Sequence, residues 1–435
     1  LAIRRGTRRS PAAFSLPESL TETPGSCSPS TRGTGTAHAV WTAVAGFALI
    51  TASCQARCSP AFEQQQAKQA PGQATGAFET IAKQANDARD ADRPDDAVKL
   101  YRRALALNPR WTEGWWSLGT LQYDSDRYAE AELAFQKVAT LDPKQGTARA
   151  MLGLCEFELG QSDRALKDIE ASKTLGVLED RQLRNVVVYH DAVLLQRTGQ
   201  FEAAKAALTS LCLDSVRSND VVEAFGLVAL RMRDNAPPDP GTEAGSVVQH
   251  VGRAACLAGA KDYDSAKSEF DQVLAHAPNF PLVHFAYGCA LLDARDVDSA
   301  IREFEAEIAQ QPKSVLPRLR IAVAEYKVDS ARGLKFAEEA VALRPELPLA
   351  HYLLGLLLLD TGAYDRAVPE LETARAAFPR EARIDLALAT VYAHVGRPQD
   401  ASKARAEFAR KKQSEQAAAQ GALEITDALD ARSKP

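Results

Sequence analysis

Residues 112–145 read Thr112-Glu-Gly-Trp-Trp-Ser-Leu-Gly-Thr-Leu-Gln-Tyr-Asp-Ser-Asp-Arg-Tyr-Ala-Glu-Ala-Glu-Leu-Ala-Phe-Gln-Lys-Val-Ala-Thr-Leu-Asp-Pro-Lys-Gln145. Two stretches of helical apolar spacing, each of about 12–14 residues, flank the polar turn at Asp124-Ser-Asp126, which predicts a helical hairpin. Numbered from Thr112, the residues Trp115, Leu118, Gly119, Ala131, Phe135 and Pro143 take places 4, 7, 8, 20, 24 and 32. Small residues at places 8 and 20 let the two helices approach closely. A larger side chain at Gly119 or Ala131 would overpack the crossing by about 1–3 kcal/mol. Pro143 lacks an N–H and stops the second helix.

The same marks return along the chain. Pro109 and Pro143 are 34 residues apart, as are Pro278 and Pro312, and Pro345 and Pro379; Pro312 to Pro345 is 33. Alanine keeps the step of 34 through Ala97, Ala131 and Ala165, then Ala266 and Ala300, then Ala367 and Ala401. Gly119 and Gly153 share it too. Three residue types in one phase predict units at 78–111, 112–145, 146–179, 184–217, 247–280, 281–314, 315–347, 348–381 and 382–412. Asp95, Asp163, Asp264, Asp298 and Asp365 each precede the place-20 alanine by two, where a carboxylate caps the second helix or meets its dipole. No such unit buries its apolar face alone, so the expected fold is an all-α solenoid of about nine hairpins. The pattern departs at Asp191 (place 8 of the fourth unit), at the insertion 180–183 and in the short seventh unit. Residues 218–246 carry an apolar helix from Val221 to Met232 and then Pro237-Pro238-Asp239-Pro240-Gly241. They read as a degenerate helix and a break between sub-arrays 78–217 and 247–412.

Over roughly 78–412 the chain resembles the tetratricopeptide repeat family on these residues. The resemblance implies a right-handed superhelix that binds proteins without catalysing a reaction. It also implies a concave side lined by places 2, 5, 9 and 12 of the first helices. Those places are polar in the first unit (Glu79, Ala82, Asn86, Arg89) and apolar from the fifth to the eighth. The expected groove for a partner's peptide or helix comprises Val248, Val251, Leu282, Phe285, Leu292, Leu319, Tyr326, Tyr352, Leu356 and Leu359, anchored by Phe285, Tyr326 and Tyr352. An equal alternative is that this surface is covered by the chain's own C-terminal segment, by a second copy or by tighter coiling. Family members that grip a C-terminal carboxylate carry Lys at place 5 and Asn at place 9. Only Asn86 fits, with Ala82 in place of the lysine, so that clamp is not expected.

Composition narrows the function further. The 435 residues are 46% apolar and 25% charged, with 57 acidic against 52 basic side chains and a net charge of −5. That balance leaves no electrostatic footprint for nucleic acid. The seven cysteines form no repeated zinc-like pairing, so neither a disulfide scaffold nor a structural metal is expected. Cys155, Cys256 and Cys289 read as small buried residues. Asp124-Ser-Asp126, Asp262-Tyr-Asp264 and Asp296-Val-Asp298 resemble a sugar-nucleotide metal motif but fall in the turns of the hairpins. His250, His284 and His351 share place 4, a packing position that would hold them too far apart for one metal. No phosphate loop, dinucleotide fingerprint, zinc-protease motif or nucleophile elbow occurs. No cofactor, metal or catalytic residue is therefore expected.

The ends carry the remaining signals. Residues 1–56 read as a signal segment: Arg4, Arg5, Arg8 and Arg9 precede the apolar run Ala39–Ile50, shorter than the about 20 residues a spanning helix needs. Ile50-Thr-Ala-Ser-Cys54 resembles a bacterial lipoprotein box, with Thr51 where the family prefers Leu, Val or Ile. The expectation is a periplasmic or membrane-anchored protein, held to a membrane only through lipid at Cys54. A cytoplasmic adaptor and a regulatory subunit of an enzyme complex are the alternatives. Residues 57–77 read as a flexible tether, and 413–435 as a capping and frayed tail.

Overall fold

A computed structural model describes residues 71–175, 181–233 and 237–414. The signal segment, Cys54 and the tail from 415 lie outside the described residues. Every regular element among the described residues is a helix. They pair as α1 (Pro71–Asp90) with α2 (Pro94–Leu107), α3 (Thr112–Asp124) with α4 (Tyr128–Leu141), α5 (Gly146–Glu158) with α6 (Ser162–Thr174), and α7 (Arg181–Arg197) with α8 (Phe201–Leu213). A single helix follows, α9 (Asn219–Ala229). The second series pairs α10 (Glu243–Gly259) with α11 (Tyr263–His276), α12 (Val283–Asp293) with α13 (Val297–Gln310), and α14 (Leu316–Glu325) with α15 (Ser330–Leu343). It ends with α16 (Pro348–Asp360) beside α17 (Tyr364–Ala377), and α18 (Ala382–His394) beside α19 over 398–414. Helix α1 begins at Pro71, inside the stretch expected to be a tether; proline suits the first turn, where its missing N–H has no partner to lose.

The repeat marks occupy the core. Ala97, Ala131, Ala165, Ala300 and Ala367 are fully buried. A Cβ added at Gly119 would stand 2.9 Å from the Phe135 ring, and one at Gly355 would stand 2.6 Å from Leu371. The small residue at place 8 thus makes room for the side chain at place 24, a closer specification than backbone approach. Two of the three acidic pairs are helix starts, while Asp124 ends α3 and Asp126 accepts from the Tyr128 hydroxyl in the turn. Asp262 and Asp296 accept from the N–H groups of Ser265 (3.3 Å) and Ser299 (3.1 Å), while Asp264 and Asp298 lie in the first turn facing the helix dipole. Asp191 keeps place 8 of the fourth unit because Lys173 of the preceding hairpin reaches it.

Between the two series the chain does not separate. The expected apolar helix is α9, and it packs tightly on α10. A Cβ at Gly226 would overlap the Val248 carbonyl, and one at Gly252 the Val222 carbonyl, so the two backbones cross in direct contact. Cys212 of α8 and Cys256 of α10 form a disulfide with Cα atoms 5.4 Å apart. This corrects the expectation of unpaired cysteines. The two are 44 residues apart in sequence and only the close return of α10 onto α8 brings them together.

Candidate protein-binding surface

The expected groove divides into a closed half and an open half. At the closed end, Val248 and Val251 of α10 are buried in a cluster with Leu227 and Leu230, beneath α9. Phe285 of α12 is 1% exposed. It forms the floor of a recess with Ala255, Ala258 and Cys289, and Phe201, Lys205 and Arg231 close that recess from the preceding hairpins. The Arg231 guanidinium lies 5.3 Å from the Phe201 ring centre and 5.4 Å from that of Phe285. Phe285 is therefore core, not an anchor for a partner. Of the coverings left open by the sequence, tighter coiling of the chain is the one seen here.

Charged side chains hold this closure. Arg231 and Arg320 each donate to Glu202 Oε1 at 2.5 Å, and Lys205 donates to Asp293 at 2.7 Å. Burial opposes the charge on Glu202, but the two guanidinium groups outweigh it and hold the carboxyl below its ordinary range. Burial pushes the Cys289 thiol up, against the pull of Arg320, Lys205 and Arg231. A cleft of about 470 Å³ opens beside the recess between α8 and α10, where Glu202, Lys205, Lys261 and Asp293 join small residues such as Ala206 and Gly259 in its lining.

Leu319 is also buried, in a cluster with Ala340, Ala350 and Leu353, so it joins adjacent hairpins instead of facing outward. Leu282 has φ +66° and begins α12. Its N–H donates to Glu307 at 3.0 Å, as that of Phe285 does at 3.4 Å. Glu307, fully buried on α13, caps a helix that its own sequence leaves uncapped. Burial raises the Glu307 carboxyl, and the two backbone donors pull it back. Leu292 is half-buried against the core.

The open half runs across α14, α16 and α18. Tyr326, Tyr352, Leu356 and Leu359 are half-buried there. Leu316, Val323, Leu349 and Leu386, on the same three helices, are 37%, 51%, 43% and 45% exposed. The steps from Leu349 to Tyr352, Leu356 and Leu359 are three, four and three, which keeps them on one helix face. Lys327 stands 5.1 Å from the Tyr326 ring, and Arg383 bears electrostatically on Tyr352. The result is an apolar strip edged by the ion pairs Lys327–Asp360 and Arg383–Glu381.

The histidines are structural partners. His250, His284 and His351 bond through Nδ1 to Glu269, Glu303 and Glu370, each 19 residues on, at 2.8, 2.7 and 2.5 Å. Arg149 and Asp168 repeat the pair at the same separation, 2.7 Å apart. Place 4 thus clasps the second helix of its own hairpin. Among the described residues no group of three or more His, Cys, Asp or Glu is placed to hold a metal ion, and no helix is long and apolar enough to cross a membrane. The sequence did not point to Glu202, Arg231 or Arg320; they sit at positions outside the repeat marks, and only the curvature of the array joins them.

A family model described as tetratricopeptide repeat matches residues 82–146, 118–174, 257–315, 323–371 and 352–428, more than half of the chain. No curated protein matches. Among solved structures, MamA of AMB-1 is 21% identical, with 38% of this chain and 91% of that one covered and a TM-score of 0.34. A tetratricopeptide repeat protein from Parabacteroides merdae is 13% identical over 65% of this chain and 99% of that one, with a TM-score of 0.30. Yeast Tom70 is 14% identical over 83% of this chain and 98% of that one, with a TM-score of 0.27.

Proposed function

We propose a function on one premise: the chain belongs to the tetratricopeptide repeat family. It is a protein-interaction scaffold. The finer reading is that a partner's peptide or amphipathic helix lies on the α14, α16 and α18 strip, burying its apolar side chains against Tyr352, Leu349 and Val323. One observation carries this reading: four large apolar residues remain more than a third exposed on the first helices of three consecutive hairpins. Binding would need little rearrangement, because the strip rests on a buried layer that includes Leu354, Leu357 and Leu358. The scaffold reading assigns no catalytic role. Asp262 and Asp296, the place-4 histidines, and Cys212 with Cys256 are taken up as caps, clasps and a disulfide.

The proposed location is outside the cytoplasm. The support is the Cys212–Cys256 disulfide, since such bonds persist in oxidising compartments and are rare where thiols are kept reduced. Lipid attachment at Cys54 would supply the tether. Crosslinking pull-down from membranes tests both proposals. Val323→Glu with Leu349→Glu should lose the captured partner at least tenfold while circular dichroism and melting stay unchanged. Undiminished capture would remove the strip from the binding surface, and recovery of Cys212 and Cys256 as free thiols from freshly lysed cells would remove the exported location.

A further inference from the structure

We propose that residues 421–431 of this same chain dock on the α14, α16 and α18 strip and occupy it until a partner displaces them. This rests on reading the strip as a docking surface and identifies its resident occupant. Three observations converge on that segment.

The first is where the described chain ends. Lys411 of α19 pairs with Asp385, a carboxylate buried in α18. The next residue, Lys412, acts on Glu381, which caps α18 and, with Arg383, bears on the phenol of Tyr352. The chain therefore leaves residue 414 at the edge of the strip. Packed helices stand about 8–10 Å apart. The eight steps from 414 to 422 reach up to about 27 Å, enough to turn back over α18 onto α16.

The second is the apolar pattern. In Ala422-Leu-Glu-Ile-Thr-Asp-Ala-Leu-Asp-Ala431, the residues Ala422, Ile425 and Leu429 step by three and four, the spacing of one helix face. Eleven residues at helical rise measure about 16 Å, close to the ~16–20 Å that separates the first and third of three packed helices.

The third is charge. Glu424, Asp427 and Asp430 recur every third residue beside that apolar line. The strip edge presents Lys327, paired with Asp360, and Arg383 on α18, paired with Glu381. Carboxylates of the segment can exchange with Asp360 and Glu381 on these two cations.

The test places a benzophenone amino acid at Val323 or at Leu349 in the full-length protein, irradiates it at low micromolar concentration and maps the products by mass. The expected result is a link into residues 421–431 at monomer mass, independent of concentration. Ile425→Asp with Leu429→Asp should reduce it at least fivefold. Links at dimer mass would make a second copy the occupant and overturn the proposal, and so would the absence of any link into 421–431. Partner capture scored on the same samples separates the two readings. Capture without a tail link rejects the tail alone, and a tail link without capture rejects the partner alone.

Discussion

Glu202 and Arg320 stand 118 residues apart in the chain, and the guanidinium donates to the carboxylate at 2.5 Å. One residue starts α8 and the other lies in α14, so the contact spans the whole break between the two series. Arg231 shares the same oxygen, and Lys205 pairs with Asp293 from the next turn of α8. Each pair is partly exposed and by itself contributes about 1 kcal/mol or less. Together they close the array over the Phe285 floor.

The disulfide sits under that closure and should govern its stability. A bond closing a loop of this length stabilises by ~4 kcal/mol in the chain-entropy model. Cys212→Ser should lower the unfolding free energy by about that amount in urea, and reduction of the wild-type protein should bring it to the same value. Equal midpoints for oxidised and reduced protein would show that the pair does not form.

Phe285 and Tyr352 are equivalent in the sequence, both at place 5, and the structure separates them. Phe285→Ala should cost about 3–5 kcal/mol, the range for an aromatic ring lost from a core. Tyr352→Ala should cost much less and act on partner capture instead. Thermal melts of the two single variants decide between these assignments, and matching losses would mean both rings are core.

That separation shows what the sequence could and could not specify. Places 8, 20, 24 and 32 are set inside one hairpin, so their spacing alone reports their burial, as Gly119, Ala131 and Phe135 do. Place 5 faces whatever the superhelix brings across it. Over α10 and α12 that is α9, Phe201 and Arg231; over α16 the described residues leave it half-open. The α9–α10 crossing through Gly226 and Gly252 brings α9, which lies outside the 34-residue repeat, across that place. The Cys212–Cys256 bond was hidden for the same reason.

Two of the clasp histidines should make the second series more stable in acid. Glu303 raises the pKa of His284, the dominant effect there. For His351 burial pulls the other way, but the Pro345 carbonyl and Glu370 outweigh it and the net direction is also upward. A raised value means the fold prefers the protonated ring. The contribution is therefore complete below the ordinary value of 6.5 and is lost as pH rises through the higher folded value. His284→Gln with His351→Gln should melt lower than wild type at pH 5.5, and the gap should narrow by pH 8.5.

Lys173 and Asp191 test how a buried charge was admitted at a place reserved for small residues. Asp191 is 3% exposed, and Lys173 is its ion-pair partner from α6. Lys173→Met leaves that carboxylate without its counter-charge and should cost about 3–5 kcal/mol. Adding Asp191→Ala should restore most of the loss, because Gly153, Gly288 and Gly355 show that place 8 accommodates a small residue against the second helix. Additive losses in the double variant would show that the two side chains do not interact.

Glu156 gives a further pH dependence, in the first series. It is fully buried on α5, and Arg164 Nη2 approaches Oε1 at 2.8 Å while also bonding Glu132. Burial raises its carboxyl most, and the neighbouring Asp168 and Glu132 add to that. Arg164 offsets only part, leaving the group raised from 4.5 to about 7. The fold thus prefers the protonated acid. Its contribution is complete below pH 4.5, declines as pH rises and is gone above about 7. By linkage the difference between those limits is about 3 kcal/mol. Gln keeps the shape and hydrogen-bonding groups of the protonated acid but does not titrate. Glu156→Gln should therefore match wild type near pH 4.5 and exceed it by about 3 kcal/mol at pH 8, measured by urea unfolding at each pH. A difference between the two proteins that stays constant with pH would mean that Arg164 alone neutralises Glu156 and that the carboxylate is ionised throughout.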